Sequence, residues 1–288
     1  EYDCKEQLYV KKLKAFLKKT TVDLIVVADY DGGAITQDVL DQIVGIKKCP
    51  VFFTSRKISS FNLSELDCVI SSENDISQNK RMDAKCLLMT LGKNGIIFRD
   101  SANSVYSPAI KTTAINVSGA GDSVCAFFSA YYHRNANLEL LLDLCNIVGS
   151  VAVENRLTCK VTLGSVLIKL FKEKCLVNCK NKVVNLEFAK EIVSSLKKSG
   201  QKIVFTNGCF DLLHAGHIQS LQYAKKQGDF LVVGVNSDES VKKIKGNARP
   251  FYELNARLDI LSSLECVNML VPMEDESAVR LLQNIKPD

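Results

Sequence analysis

The chain has 288 residues, of which 47% are hydrophobic and 24% charged, with a formal net charge of +5. That is the balance of a globular protein long enough for two domains with separate cores. No apolar run reaches the length of a membrane span, and the basic excess is too small and too dispersed to predict a nucleic-acid partner.

The N-terminal EYDCKEQLYVKKLKAFLKK lacks the cationic-then-apolar order of a signal peptide. The 11 cysteines are scattered and form no CxxC pair. Together these predict reduced thiols in a cytoplasmic protein, with neither a disulfide framework nor a structural zinc. DLIVVADY (23–30), PVFFTS (50–55), LDCVIS (66–71) and CLLMTLG (86–92) are short apolar runs with little alternation. Such runs read as strands buried on both faces of a parallel sheet. An amphipathic helix is predicted over 36–46. A polar, lysine-rich stretch, 171–185, precedes the helical LEFAKEIVSSLKKSG, with Gly200 as its C-cap. A second strand series follows, KIVFTNG (202–208), DFLVVGVNSD (229–238) and CVNMLVP (266–272), with helices over 217–227, 253–264 and 275–285. The fold class predicted is α/β, two three-layer domains with mostly parallel sheets, over 1–175 and 181–288 with the boundary near 180.

In NVSGAGDSVCAFFSAYYH (116–133) two glycines flank an alanine, and an aspartate then opens an apolar helical run. Glycines at a helix start let backbone N–H groups close around an anion. An Asp beside such a hole could take the proton of a hydroxyl attacking a phosphoryl group. Four residues alone fit a carboxylate-capped glycine turn equally well. In context the segment resembles the ribokinase-like sugar kinase family, whose motif reads D-T/V-T/S-G-A-G-D. DYDGGAIT (29–36), NLSE (62–65) and TLGKNG (90–95) match further family elements in order. The resemblance implies Asp122 as catalytic base and Gly119, Ala120 and Gly121 as the anion hole. It also implies Asn62, Leu63, Ser64, Glu65, Thr90 and Gly92 around ATP, and a homodimer. Asn116 and Gly32 stand where the family usually has Asp and Lys.

TNGCFDLLHAGH (206–217) holds two of the 3 histidines in the chain. His214 and His217, at i and i+3, share one face of a first helical turn, where phosphate binds readily. Half of a metal site, or two structural histidines, are the other readings of such a pair, though no third ligand has matching spacing. After the second strand, VNSDESVKKIKGNARP brings Lys242, Lys243, Lys245 and Arg249 to where a triphosphate would lie across strand ends. The segment resembles the nucleotidyltransferase superfamily marked by (H/T)-x-G-H. That implies a Rossmann-like domain in which Thr206, Asn207, Gly208 and Phe210 border the nucleotide. Lys245 and Arg249 would meet the triphosphate, and His214, His217, Lys245 and Mg2+ would stabilise charge growing on the phosphates. Asp211 reads as a structural or turn residue. Arg257 opens the next helix, in a structural or a binding role.

The two segments in this order resemble the bifunctional heptose 7-phosphate kinase/heptose 1-phosphate adenylyltransferases. The resemblance implies ADP-heptose formation for lipopolysaccharide, with ATP and Mg2+ serving both halves and a sugar phosphate as partner. It also implies that the chain is truncated at both ends, with weak or no adenylyl transfer by the isolated piece. A cytidylyltransferase acting on a small phosphorylated alcohol, and a non-catalytic nucleotide-binding scaffold, are the alternatives.

Overall fold

The computed structural model describes residues 11–13, 15–16, 19–46, 48–75, 84–132, 137–154 and 160–288. Cys4, His133, Cys159 and most of the N-terminal segment read above lie outside the described residues. The chain divides into two compact units, Glu1–Val161 and Thr162–Asp288.

The first unit holds a six-stranded sheet in chain order: β1 (Ile25–Asp29), β2 (Val51–Ser55), β3 (Cys68–Ser72), β4 (Cys86–Thr90), β5 (Ile96–Asp100) and β6 (Ser104–Ser107). Strands β1 to β4 pair in parallel, and β5 and β6 are added antiparallel. Successive residues of a strand point to opposite faces, and β2 shows it clearly. Phe53 packs with Leu40 and Ile43 of α1 (Gln37–Ile46) on one face. Phe52 packs with Phe128 of α2 (Ala120–Tyr132) and Leu142 of α3 (Leu138–Val153) on the other. Each such buried side chain stabilises the unit by about 1.5–3 kcal/mol.

The β4–β5 turn depends on a glycine. Gly95 has φ +104, and a Cβ there would sit 2.2 Å from the Ser107 carbonyl oxygen and 2.7 Å from the Ala109 nitrogen. Both partners are backbone atoms, so relief requires moving a strand end. Gly95→Ala is expected to destabilise the first unit by at least about 2 kcal/mol, read from the midpoint of urea unfolding.

The second unit has a parallel three-stranded sheet, β7 (Ile203–Gly208), β8 (Phe230–Asn236) and β9 (Met269–Met273), with β8 in the centre. One face carries α5 (Leu186–Lys198) and α9 (Val279–Ile285), through Ile192, Leu196, Leu281 and Ile285 against Val232 and Val271. The other carries α6 (Ala215–Lys226) and α8 (Leu254–Ser262), through Leu221, Leu258 and Leu261 against Leu231 and Val233. Gly200, at φ +80, follows the end of α5 as expected.

Two features differ from the sequence reading. The helix α4 (Leu163–Val177) packs in the second unit, where Phe171 joins Ile192 and Phe230 in one core, so the division falls at 161/162 rather than near 180. The run 238–245, read as a basic stretch after a strand, is a helix, α7 (Asp238–Lys245), capped by Ser237, whose hydroxyl accepts from the Ser240 N–H.

Candidate functional site

In the first unit a cleft of about 200 Å³ opens at the C-terminal ends of the parallel strands, where ligands of such sheets bind. Asp122 enters it from the first turn of α2, behind Gly119 at φ +79, a backbone conformation that side chains disfavour. The Tyr30 hydroxyl donates to Asp122 Oδ1 at 3.1 Å. Asp29, 7% exposed, accepts from Ser55 Oγ at 2.7 Å and from the Asp31 N–H at 3.0 Å, which holds the end of β1 against β2.

Of the residues expected around ATP, Thr90 lines this cleft, as do Gly121 of the expected anion hole and Asp122, the expected base. The segment 62–65 lies before β3 and is not in its walls. There Leu63 is buried in the core, and Asn62 Oδ1 accepts from the N–H and hydroxyl of Ser64. Gly92 (φ +57) opens the short turn 92–94 beyond β4 and, with Gly119 and Ala120, is likewise absent from the lining. Sequence reasoning missed Arg56, Ser72 and Asp75, which do line it. Arg56 follows β2, Ser72 ends β3 and Asp75 closes the short turn after it, and that position at the end of a parallel strand was the available signal.

In the second unit the turn after β7 carries the histidines. Thr206, Asn207 and Gly208 form the end of that strand, in register with Val233, Gly234 and Val235 of β8. Phe210, at φ +48, is buried and turns the chain back. His214 takes the N-cap position of α6, with extended backbone, and its carbonyl accepts from the His217 N–H at 2.9 Å. The two imidazoles stack with centroids 3.9 Å apart, and Phe210 packs 5.3 Å from His217. Gly216 leaves room for this stack, because a Cβ there would lie 3.1 Å from His214 Cε1 and Nδ1. The first-turn amides of Ala215 and Gly216 have no intrahelical acceptor and can receive an anion.

His217 Nδ1 is buried without a hydrogen-bond partner. Burial pushes the ring below the ordinary histidine value, and the charges of His214 and Lys245 add to that. The Leu212 backbone opposes it weakly without satisfying Nδ1. The neutral ring therefore prevails at neutral pH. Because the folded value is the lower one, the unfolded chain takes up the proton first on acidification. Stability from this ring is complete above 6.5 and is lost as pH falls from there through the folded value. His217→Gln is expected to flatten that part of the stability–pH curve, measured by urea midpoints across the range.

The basic residues come from α7 and the loop beyond it. Lys245 ends α7 and is exposed. Arg249 Nη1 bonds Asp211 Oδ2 at 2.6 Å, and its guanidinium lies 3.9 Å above the centre of the Phe251 ring. Burial alone would raise the Asp211 carboxyl. The Phe251 N–H, then Arg249 and Lys245, outweigh it and hold the group below its ordinary value. Asp211 is thus the buried partner of Arg249, a link the sequence did not expose. Arg257 is also buried and reaches the Tyr252 and Cys209 carbonyls and Asp238.

Both units thus place a helix start at the C-terminal edge of a parallel sheet, where ligands of α/β domains bind. Residues 8–163 match the pfkB family of carbohydrate kinases, and residues 205–288 match the cytidylyltransferase-like family. The chain belongs to the pfkB carbohydrate kinase family, with a cytidylyltransferase-like segment following. Among its relatives is the bifunctional protein HldE of Nitratiruptor sp., 32% identical over 92% of this chain and 61% of that protein. The bifunctional protein HldE of Pseudomonas aeruginosa is 30% identical over 93% and 60%, and that of Helicobacter pylori HPAG1 39% over 70% and 42%. The chain therefore spans less than two thirds of the length of these relatives. Among the described residues, no helix is long and apolar enough to cross a membrane.

Proposed function

We propose that the chain serves ADP-heptose formation. In this reading the first unit carries residues for ATP-dependent phosphorylation of heptose 7-phosphate, and the second transfers an adenylyl group from ATP to heptose 1-phosphate. The observation that carries it is the histidine stack at the start of α6, with Lys245 near enough to act on His217 electrostatically. An oxygen of the sugar phosphate attacks the α-phosphorus as the bond to pyrophosphate breaks, and no protein nucleophile is required. His214 and His217 donate to the α-phosphate, Lys245 and Arg249 hold the β- and γ-phosphates, and Thr206, Asn207, Gly208 and Phe210 form the nucleotide wall. In the first unit Asp122 accepts the proton of the attacking hydroxyl while the Gly119–Gly121 amides hold the transferred phosphoryl group. Mg2+ would arrive with the triphosphate and neutralise its charge, held mainly by phosphate oxygens. No group of three His, Cys, Asp or Glu among the described residues gathers to hold an ion.

The cytidylyltransferase-like description of residues 205–288 supports one second reading, a CTP-dependent transfer. Pyrophosphate release measured with ATP and with CTP, each with heptose 1-phosphate and with glycerol 3-phosphate, separates the two. A clear preference for CTP overturns the heptose assignment.

A further inference from the structure

We propose that Asp211 is a positioning residue for nucleotide binding: it fixes Arg249 in the orientation from which the guanidinium meets the triphosphate. The inference rests on the nucleotidyl-transfer reading of the same turn and deepens it.

Asp211 lies in the histidine-bearing turn, and Arg249 lies in the loop after α7. An arginine on such a loop would ordinarily sample many rotamers, and ordering it on binding would cost affinity. Here it is ordered beforehand from two sides. Its Nη1 is 2.6 Å from Asp211 Oδ2, and its flat face rests 3.9 Å from the Phe251 centroid. The Arg249 side chain is 34% exposed while that of Asp211 is only 1% exposed, so the pair has a buried end and an open end. An arginine carries five donors in a fixed fork. One is spent on Asp211, and the others remain for phosphate oxygens.

The second oxygen of Asp211 accepts from the Phe251 N–H at 2.6 Å, so the same carboxylate also places the ring that backs the guanidinium. One buried group thereby sets both walls of the arginine. It also ties the loop to the turn that carries His214 and His217. The Asp211 carboxyl is held below its ordinary value against the pull of its own burial, which agrees with a permanently charged anchor.

With one site fitted for each unit, and the second unit's site taken as the one whose heat changes in His217→Ala, the test compares the equilibrium affinities of ATP and AMP, both with Mg2+, by calorimetry on the full chain. Their ratio reports the contribution of the β- and γ-phosphates without requiring turnover. Asp211→Asn keeps the shape and an acceptor for the Phe251 N–H but removes the charge. It is expected to reduce the ATP:AMP affinity ratio about tenfold, with AMP affinity unchanged. Arg249→Ala should reduce the ratio by a similar factor, and the double variant should be no worse than either single one. Phe251→Leu removes the backing ring without touching the ion pair and should cost a smaller part of the ratio. It carries the test if Asp211→Asn fails to fold.

A folded Asp211→Asn protein with an undiminished ratio, beside an Arg249→Ala protein that loses it, overturns the positioning role and leaves the triphosphate site standing. Additive losses in the double variant overturn it as well. An unchanged ratio in Arg249→Ala overturns the placement of the triphosphate on this loop, and with it the nucleotidyl-transfer reading on which the inference rests.

Discussion

Replacing His217 by Ala is expected to lower pyrophosphate release by the second unit about 10²- to 10³-fold, the usual loss of one preorganised donor to a developing phosphate charge. The loss should fall on kcat more than on KM, because the ring is engaged most strongly as charge accumulates in the transition state. The geometry gives the reason. His217 is held between Phe210 and the stacked His214 ring, with its Nδ1 buried, so the direction of the ring is set before any nucleotide arrives. Tyr223→Ala, at a 68% exposed position on the same helix, serves as the control and should leave the rate unchanged. A loss of less than about tenfold in His217→Ala would reduce the histidine to a packing residue.

Arg257→Met is expected to cost the second unit about 3 kcal/mol of stability, the low end for breaking a buried ion pair, because the Asp238 side chain is 27% exposed. The Arg257 side chain is fully buried and all three of its bonding nitrogens are used: Nε on the Tyr252 carbonyl at 3.0 Å, Nη1 on the Cys209 carbonyl at 2.5 Å and Nη2 on Asp238 Oδ1 at 2.6 Å. Methionine fills much of the space but leaves two carbonyls and a carboxylate without their donor. Denaturant unfolding monitored by circular dichroism measures the loss. Adding Asp238→Asn to Arg257→Met should recover part of it, since the stranded charge then disappears. A loss below about 1 kcal/mol would mean that water replaces the guanidinium and the clamp is dispensable.

These two residues also mark what could be read from the sequence. The histidine turn was legible because its parts are local: a strand, a turn and two side chains three residues apart. The strands β2, β3 and β8 were legible as short apolar runs because both faces of each are covered. The hairpin β5–β6 was not, since Ser104 and Tyr106 face outward and the run carries little apolar signal. Helix α7 was hidden by its composition, because Ser240 and Val241 are its only buried residues. The pairing of Asp211 with Arg249 joins residues 38 apart, and nothing in either stretch names its partner. The first cleft is assembled the same way, from the C-terminal ends of β1 to β4 and the start of α2, which no single motif contains.

The central position of β8 bears on the timescale of exchange with solvent deuterons. All seven of its residues are buried, and it is paired on both sides. Its amides can exchange only when the whole second unit opens, so their protection reports the global free energy of that unit. The 246–252 loop stands outside the ladder and can open by breaking one ion pair and a few backbone bonds. The histidine turn and its arginine should therefore breathe with solvent many times during a single lifetime of the sheet that carries them.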